Sequence, residues 1–263
     1  MKRLSIWLAA IVVVAFGSLL FLSTLYSDPL AWIRDEPTHE GRSLTGWRKS
    51  LKNDDPEVRR QAAFALGQMG EDAKAAVPDL AETLQDKVAF VRVNASLALF
   101  KIGPESRSVV PALALALKDD EDFVRTNAVM ALFRIGRDSG EAVPALIEAI
   151  KDKRNRHLSP IFGFSVCQHA MKVLGRIGPG AKDAVPLLCE CAGDSDEILC
   201  CASLDSLGEI GPAAKEVVPT LVKMLSDKRE GNNRTTAIKA GEALRKIDPE
   251  AAKQAGVTEA AGS

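Results

Sequence analysis

A single phrase returns five times along this chain at a nearly constant interval. It reads Ile or Met, then Gly, six further residues, Val-Pro, and Leu two residues on. The glycines are Gly70, Gly103, Gly136, Gly178 and Gly211, and the Val-Pro pairs begin at Val77, Val110, Val143, Val185 and Val218. Both series step by 33, 33, 42 and 33 residues. A period of this size marks a stack of supersecondary units, none of which can bury its apolar face alone. It decides the fold class before composition or motifs are consulted. It also limits the functional argument, because such arrays are scaffolds and docking surfaces more often than enzymes.

Aligned on their glycines, the repeats show why each unit folds as a helical pair. Four residues before the Gly stands Leu in every copy: Leu66, Leu99, Leu132, Leu174 and Leu207. Eight before stands a small residue (Ala62, Ala95, Ala128, Ala170, Ser203), and twelve before an aliphatic one (Val58, Val91, Val124, Val166, Leu199). These offsets form one apolar stripe on a helix, and the small residue lets a neighbouring helix come close. The Gly is expected to close this first helix as a left-handed C-cap. The proline then opens a second, shorter helix, since a fixed φ and a missing amide hydrogen suit a first turn. That helix buries Leu80, Leu113, Leu146, Leu188 or Leu221 and runs to an Asp sixteen residues after the Gly: Asp86, Asp119, Asp152, Asp194, Asp227. An Asp there can cap or order the turn into the next unit.

The ends of the array carry partial units. Leu44–Leu51 reads as a lone second helix that caps the N-terminal side. Thr235–Ile247 reads as a first helix with Asp248-Pro249 where the Gly would be, a closing cap. With 46% hydrophobic and 26% charged residues the chain can both bury a core and stay solvated, and a net charge of −1 gives no general attraction to nucleic acid or acidic membranes.

Before the array, Leu4 to Tyr26 is a 23-residue run with no charge. As a helix it would reach about 34 Å, enough to cross a hydrocarbon core of about 30 Å. Lys2 and Arg3 precede it, and Asp28, Asp35 and Glu36 follow, so the bulk of the chain is expected on the extra-cytoplasmic side. The rival reading is a signal peptide cleaved after Gly17 or Ser27, giving a secreted protein. The resulting division is 1–26 transmembrane anchor, 27–43 linker, 44–250 α-solenoid of five to six repeats, and 251–263 flexible tail.

The pattern Val-Arg-x-x-Ala-x-x-Ala-Leu-x-x-Ile-Gly-Pro…Val-Pro-x-Leu, clearest over 90–119, resembles HEAT repeats, in particular the short HEAT-like repeat of phycobilisome lyases. The whole chain is also similar to the membrane-anchored HEAT-repeat proteins of planctomycete-type bacteria. The resemblance covers about residues 44–250 and implies an all-α solenoid that binds another protein. Less often it implies a bilin lyase or another cofactor-handling accessory. In HEAT repeats the Arg after Val commonly meets the loop Asp in a ladder. Here that Arg is present as Arg59, Arg92 and Arg125 but becomes Cys167 and Cys200 in the last two repeats. The resemblance therefore implies a ladder over three repeats that breaks at the fourth.

The candidate chemistry is sparse. All five cysteines fall between 167 and 201, and the alignment puts Cys189 and Cys191 in slots that hold Ala, Ile, Val, Thr or Met in other repeats. Buried packing is the plainer reading; a thioether-linked chromophore or a structural metal is the other. The histidines, His39, His157 and His169, are scattered, and His39-Glu40 is the one His-Glu pair, outside the array. We expect no catalytic, cofactor-binding or metal-binding residues, no cofactor, no nucleic-acid partner and no small-molecule substrate.

The 9 residues that lengthen the third interval lie within 153–164, basic first and aromatic after. Inserted loops on repeat arrays often lie on a binding face, so Arg154, Arg156, His157, Phe162 and Phe164 are the candidate partner-binding residues. A solvated connector pinned by its phenylalanines is the alternative. Phe100 and Phe133 occupy a slot that is Gly in the other full repeats, either as packed neighbours or as an apolar docking patch. The function expected is a non-catalytic, membrane-tethered scaffold whose repeat surface binds a protein of unspecified identity. A bilin-lyase-like accessory enzyme is the alternative.

Overall fold

The structure, a computed structural model, describes residues 36–158, 163–226 and 234–257. The chain divides into two units at Pro37/Thr38, and all that follows concerns the second. The expected anchor at 4–26 and the candidate residue Phe162 lie outside the described residues. Among the described residues no helix is long and apolar enough to cross a membrane.

The array opens with a two-stranded antiparallel ribbon, β1 (Thr38–His39) and β2 (Arg42–Ser43), paired Thr38 to Ser43 and His39 to Arg42. Its turn takes positive φ at Glu40 (50°) and Gly41 (73°), the geometry of a tight hairpin turn. The C-terminal part of the expected linker is thus structured. Ser43 ends the ribbon and caps α1 (Leu44–Ser50), its hydroxyl accepting from the Gly46 amide. Trp47 anchors the ribbon: its indole N–H donates to the His39 carbonyl at 3.0 Å, and Arg42 lies 4.5 Å above its ring.

Helical pairs follow, each a long helix and a short one. The long helices are α2 (Pro56–Met69), α4 (Ala89–Ile102), α6 (Asp122–Ile135), α8 (Val166–Ile177), α10 (Glu197–Ile210) and α12 (Arg234–Ile247). The short ones are α3 (Val77–Thr83), α5 (Val110–Ala116), α7 (Val143–Lys151), α9 (Val185–Cys191), α11 (Val218–Ser226) and α13 (Pro249–Gln254). Each long helix packs on the long helix of the next repeat. The core is the periodic set read from the sequence: Leu66, Leu99, Leu132, Leu174 and Leu207 are fully buried, as are Ala62, Ala95, Ala128, Ala170 and Ser203 between them. Close approach is literal at Gly208, where a methyl would stand 3.2 Å from the Ala243 Cα.

Two expectations need correction. The glycine after each long helix is not an αL cap. At Gly136 φ is 71° but ψ is −125°, the mirror image of extended backbone, open in practice only to glycine. The chain then enters a seven-residue 3-10 helix, such as Gly136–Ala142, that runs directly into the Val-Pro helix. In repeats two and three a buried serine stabilises this corner: Ser106 and Ser139 donate to the carbonyls of Leu99 and Leu132 at 3.0 and 2.9 Å. At the far end, α12 does not close the array alone. Asp248 caps α13, accepting from the Ala251 amide at 3.1 Å, and α13 buries Ala252. The expected tail is therefore helical at its start.

Candidate functional site

The loop aspartates do what their position predicts. Asp86, Asp119, Asp152 and Asp194 each accept from the amide two residues on, at 2.9 to 3.0 Å, which folds the turn between units. In the first two repeats an arginine completes them. Arg59 forks onto Asp86 at 2.6 and 3.0 Å, and Arg92 onto Asp119 at 2.7 and 2.9 Å. Burial pushes both carboxyls up, but the guanidinium and the turn amide more than offset it and hold them below the usual carboxylate range.

The ladder was expected to run through the third repeat, and it does not. Arg125, only 4% exposed, passes over Asp152. Its Nε donates to the Asn155 Oδ1 at 2.8 Å, its Nη1 to the carbonyls of Asp119 and Asp120, and its Nη2 to Asp122 at 3.0 Å. The inserted loop is the cause. Its first turn, a 3-10 helix at Lys153–Arg156, drives Asn155 into the stack, 1% exposed, with its amide donating to the Ala149 carbonyl at 3.0 Å. Asp152 is left to Arg154, which pairs with it at 2.8 Å and reaches Asp120 at 3.5 Å. The Arg154 side chain thereby holds the Asp152 carboxyl low.

The same loop repairs the fourth repeat. Cys167 stands where the ladder arginine should be, and Arg156 takes over its role, pairing with Asp194 at 3.0 Å. The Asp196 amide and then Arg156 keep Asp194 ionised. Of the sequence-predicted site residues, then, Arg154 and Arg156 are engaged within the array, and His157 is exposed. Phe164 is half-buried, with its ring stacked 3.6 Å from that of His169. His169 in turn meets the edge of Phe133 at 5.8 Å. Burial, with Lys172 adding to it, lowers the His169 pKa to about 4, so the ring is neutral, and its Nδ1 has no hydrogen-bond partner among the described residues.

The cysteines follow the packing reading. All five are free thiols, with Cys167, Cys191 and Cys200 buried. Cys167 donates weakly to the Ile150 carbonyl, and burial pushes its pKa up to about 12; Cys200 sits 2.9 Å from the Ala192 carbonyl and is raised by burial too. Such thiols stay protonated and are poor nucleophiles and metal ligands. Among the described residues no cluster of three His, Cys, Asp or Glu side chains is placed to hold a metal.

One feature was not expected from the sequence: the residue two before each glycine. Lys101, Arg134 and Arg176 occupy that column, and each lies over a ring of the preceding repeat. Lys101 is 5.7 Å from Phe64, Arg134 5.7 Å from Phe100 and Arg176 4.3 Å from Phe133. Arg134 also donates to the carbonyls of Phe100 and Lys101 at 2.7 and 2.9 Å, capping the end of α4. Phe100 and Phe133 are thus half-buried packing residues under cationic covers. The sequence signal is partial: Phe100 and Phe133 stand in the column next to the cations, three before their glycines, but Phe64 stands six before its own, and the stacking of the repeats decides which ring each cation covers.

A family model of HEAT repeats matches residues 44–133 and 164–242, and a model of the PBS lyase HEAT-like repeat matches 124–152. A comparison with curated proteins finds no match. Among solved structures, the chain is similar to a designed armadillo repeat protein in complex with the peptide (KR)4, at 17% identity and a TM-score of 0.60, covering 79% of this chain and 100% of that one. Computationally designed armadillo repeat proteins for modular peptide recognition match at 19% identity and a TM-score of 0.59, covering 78% of this chain and 100% of the design. The complex of CpcE and CpcF of phycocyanin lyase from Nostoc sp. PCC7120 matches at 24% identity and a TM-score of 0.51, covering 84% and 89%. At these identities the likeness is one of fold.

Proposed function

The chain belongs to the HEAT-repeat family, and from that premise we propose that it is a non-catalytic scaffold, tethered to a membrane, whose repeat surface binds another protein. The observation that carries this reading is the continuous one-dimensional core. It places the fully buried leucines of every repeat in one row and leaves apolar side chains of the long helices, Phe64, Phe90 and Ile198 among them, exposed on the opposite side. Similar folds among the designed armadillo proteins serve peptide recognition. The inserted loop belongs to this reading as a contact: Arg154 and Arg156 remain 51% and 45% exposed in spite of their ion pairs, and His157 is exposed beside them.

The tether is the uncharged run at 4–26, with the array on the extra-cytoplasmic side; a secreted form after cleavage is the alternative. N-terminal sequencing of the membrane fraction tests it, and a mature chain beginning near Ser18 or Asp28 would remove the tether. Affinity purification from solubilised membranes, with mass spectrometry, tests the scaffold: a protein recovered in stoichiometric amount supports it. The second reading, a bilin-lyase-like accessory enzyme, is favoured by the match of 124–152 to the lyase repeat. Stoichiometric uptake of a tetrapyrrole by the purified chain, read from its visible absorption, would replace the scaffold reading with that one.

A further inference from the structure

Resting on the scaffold reading, we propose that the outer face of the long helices in repeats one to four docks an acidic peptide segment that also carries apolar side chains. Charge is the first argument. Arg134, Lys172 and Arg176 meet no carboxylate among the described residues, and Lys101 has only the Gln68 amide and the Phe64 ring. The same face of the last repeats is neutralised internally: Lys246 pairs with Glu209, and Lys239 with Asp205 and Glu242. A chain of net charge −1 therefore keeps an uncompensated cationic row at one end of one face. Neutral His169 adds nothing to it.

Apolar surface runs beside the row. Phe64 and Phe90 are 42% and 44% exposed. Leu97 and Met130, which succeed Phe64 in register on the next two long helices, are half-buried. Beyond Lys172 a groove of about 300 Å³ opens between α8 and α10, with Ile198, 53% exposed, on its wall. Glu197 and Asp205 line the same groove and mark where the positive face ends.

Rings under the cations of repeats two to four combine an apolar contact with a carboxylate contact. Stacked helices are spaced by about 8–10 Å and an extended segment rises about 3.3 Å per residue. A carboxylate at about every third position, with apolar residues between, would meet successive cations. A lipid surface fits less well, because Phe100 and Phe133 are half-buried beneath guanidinium groups and cannot enter acyl chains.

The test selects 12-residue random peptides by phage display on the full chain in a non-ionic detergent. Selected peptides are then measured against K172E/R176E and against K118E/K253E, which has the same net charge but lies elsewhere. Lys172→Glu alone is a third variant. Lys172 makes no hydrogen bond or ion pair among the described residues, so this variant keeps the test valid if removing Arg176 disturbs Phe133. We expect peptides enriched in Asp and Glu with Leu or Phe. Their affinity should fall at least tenfold in K172E/R176E, and should fall in the single variant too, while the control stays unchanged. Peptides without acidic enrichment, or affinities equal in all variants, overturn the inference and leave the scaffold reading standing. Loss of phosphatidylserine-vesicle binding in the same variants, with no acidic peptide selected, makes the face a lipid site and overturns it as well. Failure to select any peptide overturns this inference, and the scaffold reading is then decided by the affinity purification alone.

Discussion

Replacing Arg125 by Ala tests where the ladder goes at the third repeat. The guanidinium is 4% exposed and spans Asn155, Asp122 and the carbonyls of Asp119 and Asp120. A hydrogen bond to a charged group contributes about 1.5–3 kcal/mol net, and an orphaned buried acceptor costs about 1–3 kcal/mol. Asp122 is half exposed, so its share is small. The carbonyls can recover water, but the Asn155 Oδ1, on a side chain 1% exposed, cannot. We expect Arg125→Ala to cost about 3–4 kcal/mol. Asn155→Ala also gives up the bond to the Ala149 carbonyl and should cost about 2–3 kcal/mol. The decisive quantity is the coupling from double-mutant cycles, read by urea unfolding followed at 222 nm. The Arg125–Asn155 cycle should give about 1.5–2.5 kcal/mol, and the Arg125–Asp152 cycle less than about 1 kcal/mol. The reverse ranking would show that the arginine ladder continues to Asp152 and that the inserted loop does not interrupt it.

Leu132→Ala should cost about 2–5 kcal/mol in the same assay, because its side chain is fully buried in the shared core; a change under about 1 kcal/mol would mean the helical register is wrong. Thiol labelling of the folded chain should be slow at Cys167, Cys191 and Cys200 and complete after unfolding, and fast labelling of Cys167 in the folded chain would contradict a thiol whose pKa burial has pushed up to about 12. His169 has a folded pKa of about 4, below its unfolded value of about 6.5. The unfolded chain therefore binds its proton first, and stability present above pH about 6.5 is lost as pH falls toward 4. Discounted for partial exposure, the loss is about 1–2 kcal/mol. His169→Gln should flatten that limb of the stability profile, and an unchanged slope between pH 6.5 and 4 would show that another group controls it. The Asp86 and Asp119 carboxyls, held low, contribute above the unfolded carboxylate range near 3.9 and act only at more acid pH, so the two effects separate.

Much of the fold was readable because its determinants recur. A leucine four residues before a glycine, a small residue eight before and a Val-Pro that begins seven residues after specify two helices and their buried faces through local geometry alone. Five copies in register repeat that specification. The two-stranded ribbon ending at Ser43 and the extra helix α13 after Asp248 were harder to read. Each adjoins an ordinary cap, but neither repeats, and a cap shows its meaning only once the partner amide is known. The form of the glycine corner was not readable either. Glycine admits both αL and its extended mirror image, and the following 3-10 turn, held in two repeats by a buried serine, selects the second.

The candidate site divides along the same line. The sequence alone determined that 153–164 is an insertion, that it is basic and then aromatic, and that the ladder arginine is missing at Cys167 and Cys200. Only the tertiary structure decided what the basic residues meet. Asn155 displaces Asp152 as the partner of Arg125, Arg154 takes Asp152, and Arg156 reaches 38 residues along the chain to Asp194 in place of the arginine the fourth repeat lacks. The cationic staircase over Phe64, Phe100 and Phe133 likewise joins residues one repeat apart. The physical reason is the range of the interactions. Helix periodicity and backbone preference act over a few residues and are written in the local order of side chains. Ion pairs and cation–ring contacts act through space, and several acceptors of the same kind stand within reach of each arginine. Which of them it meets depends on how far one layer of the stack is turned and shifted on the next, and no stretch of sequence short enough to read by pattern contains both layers.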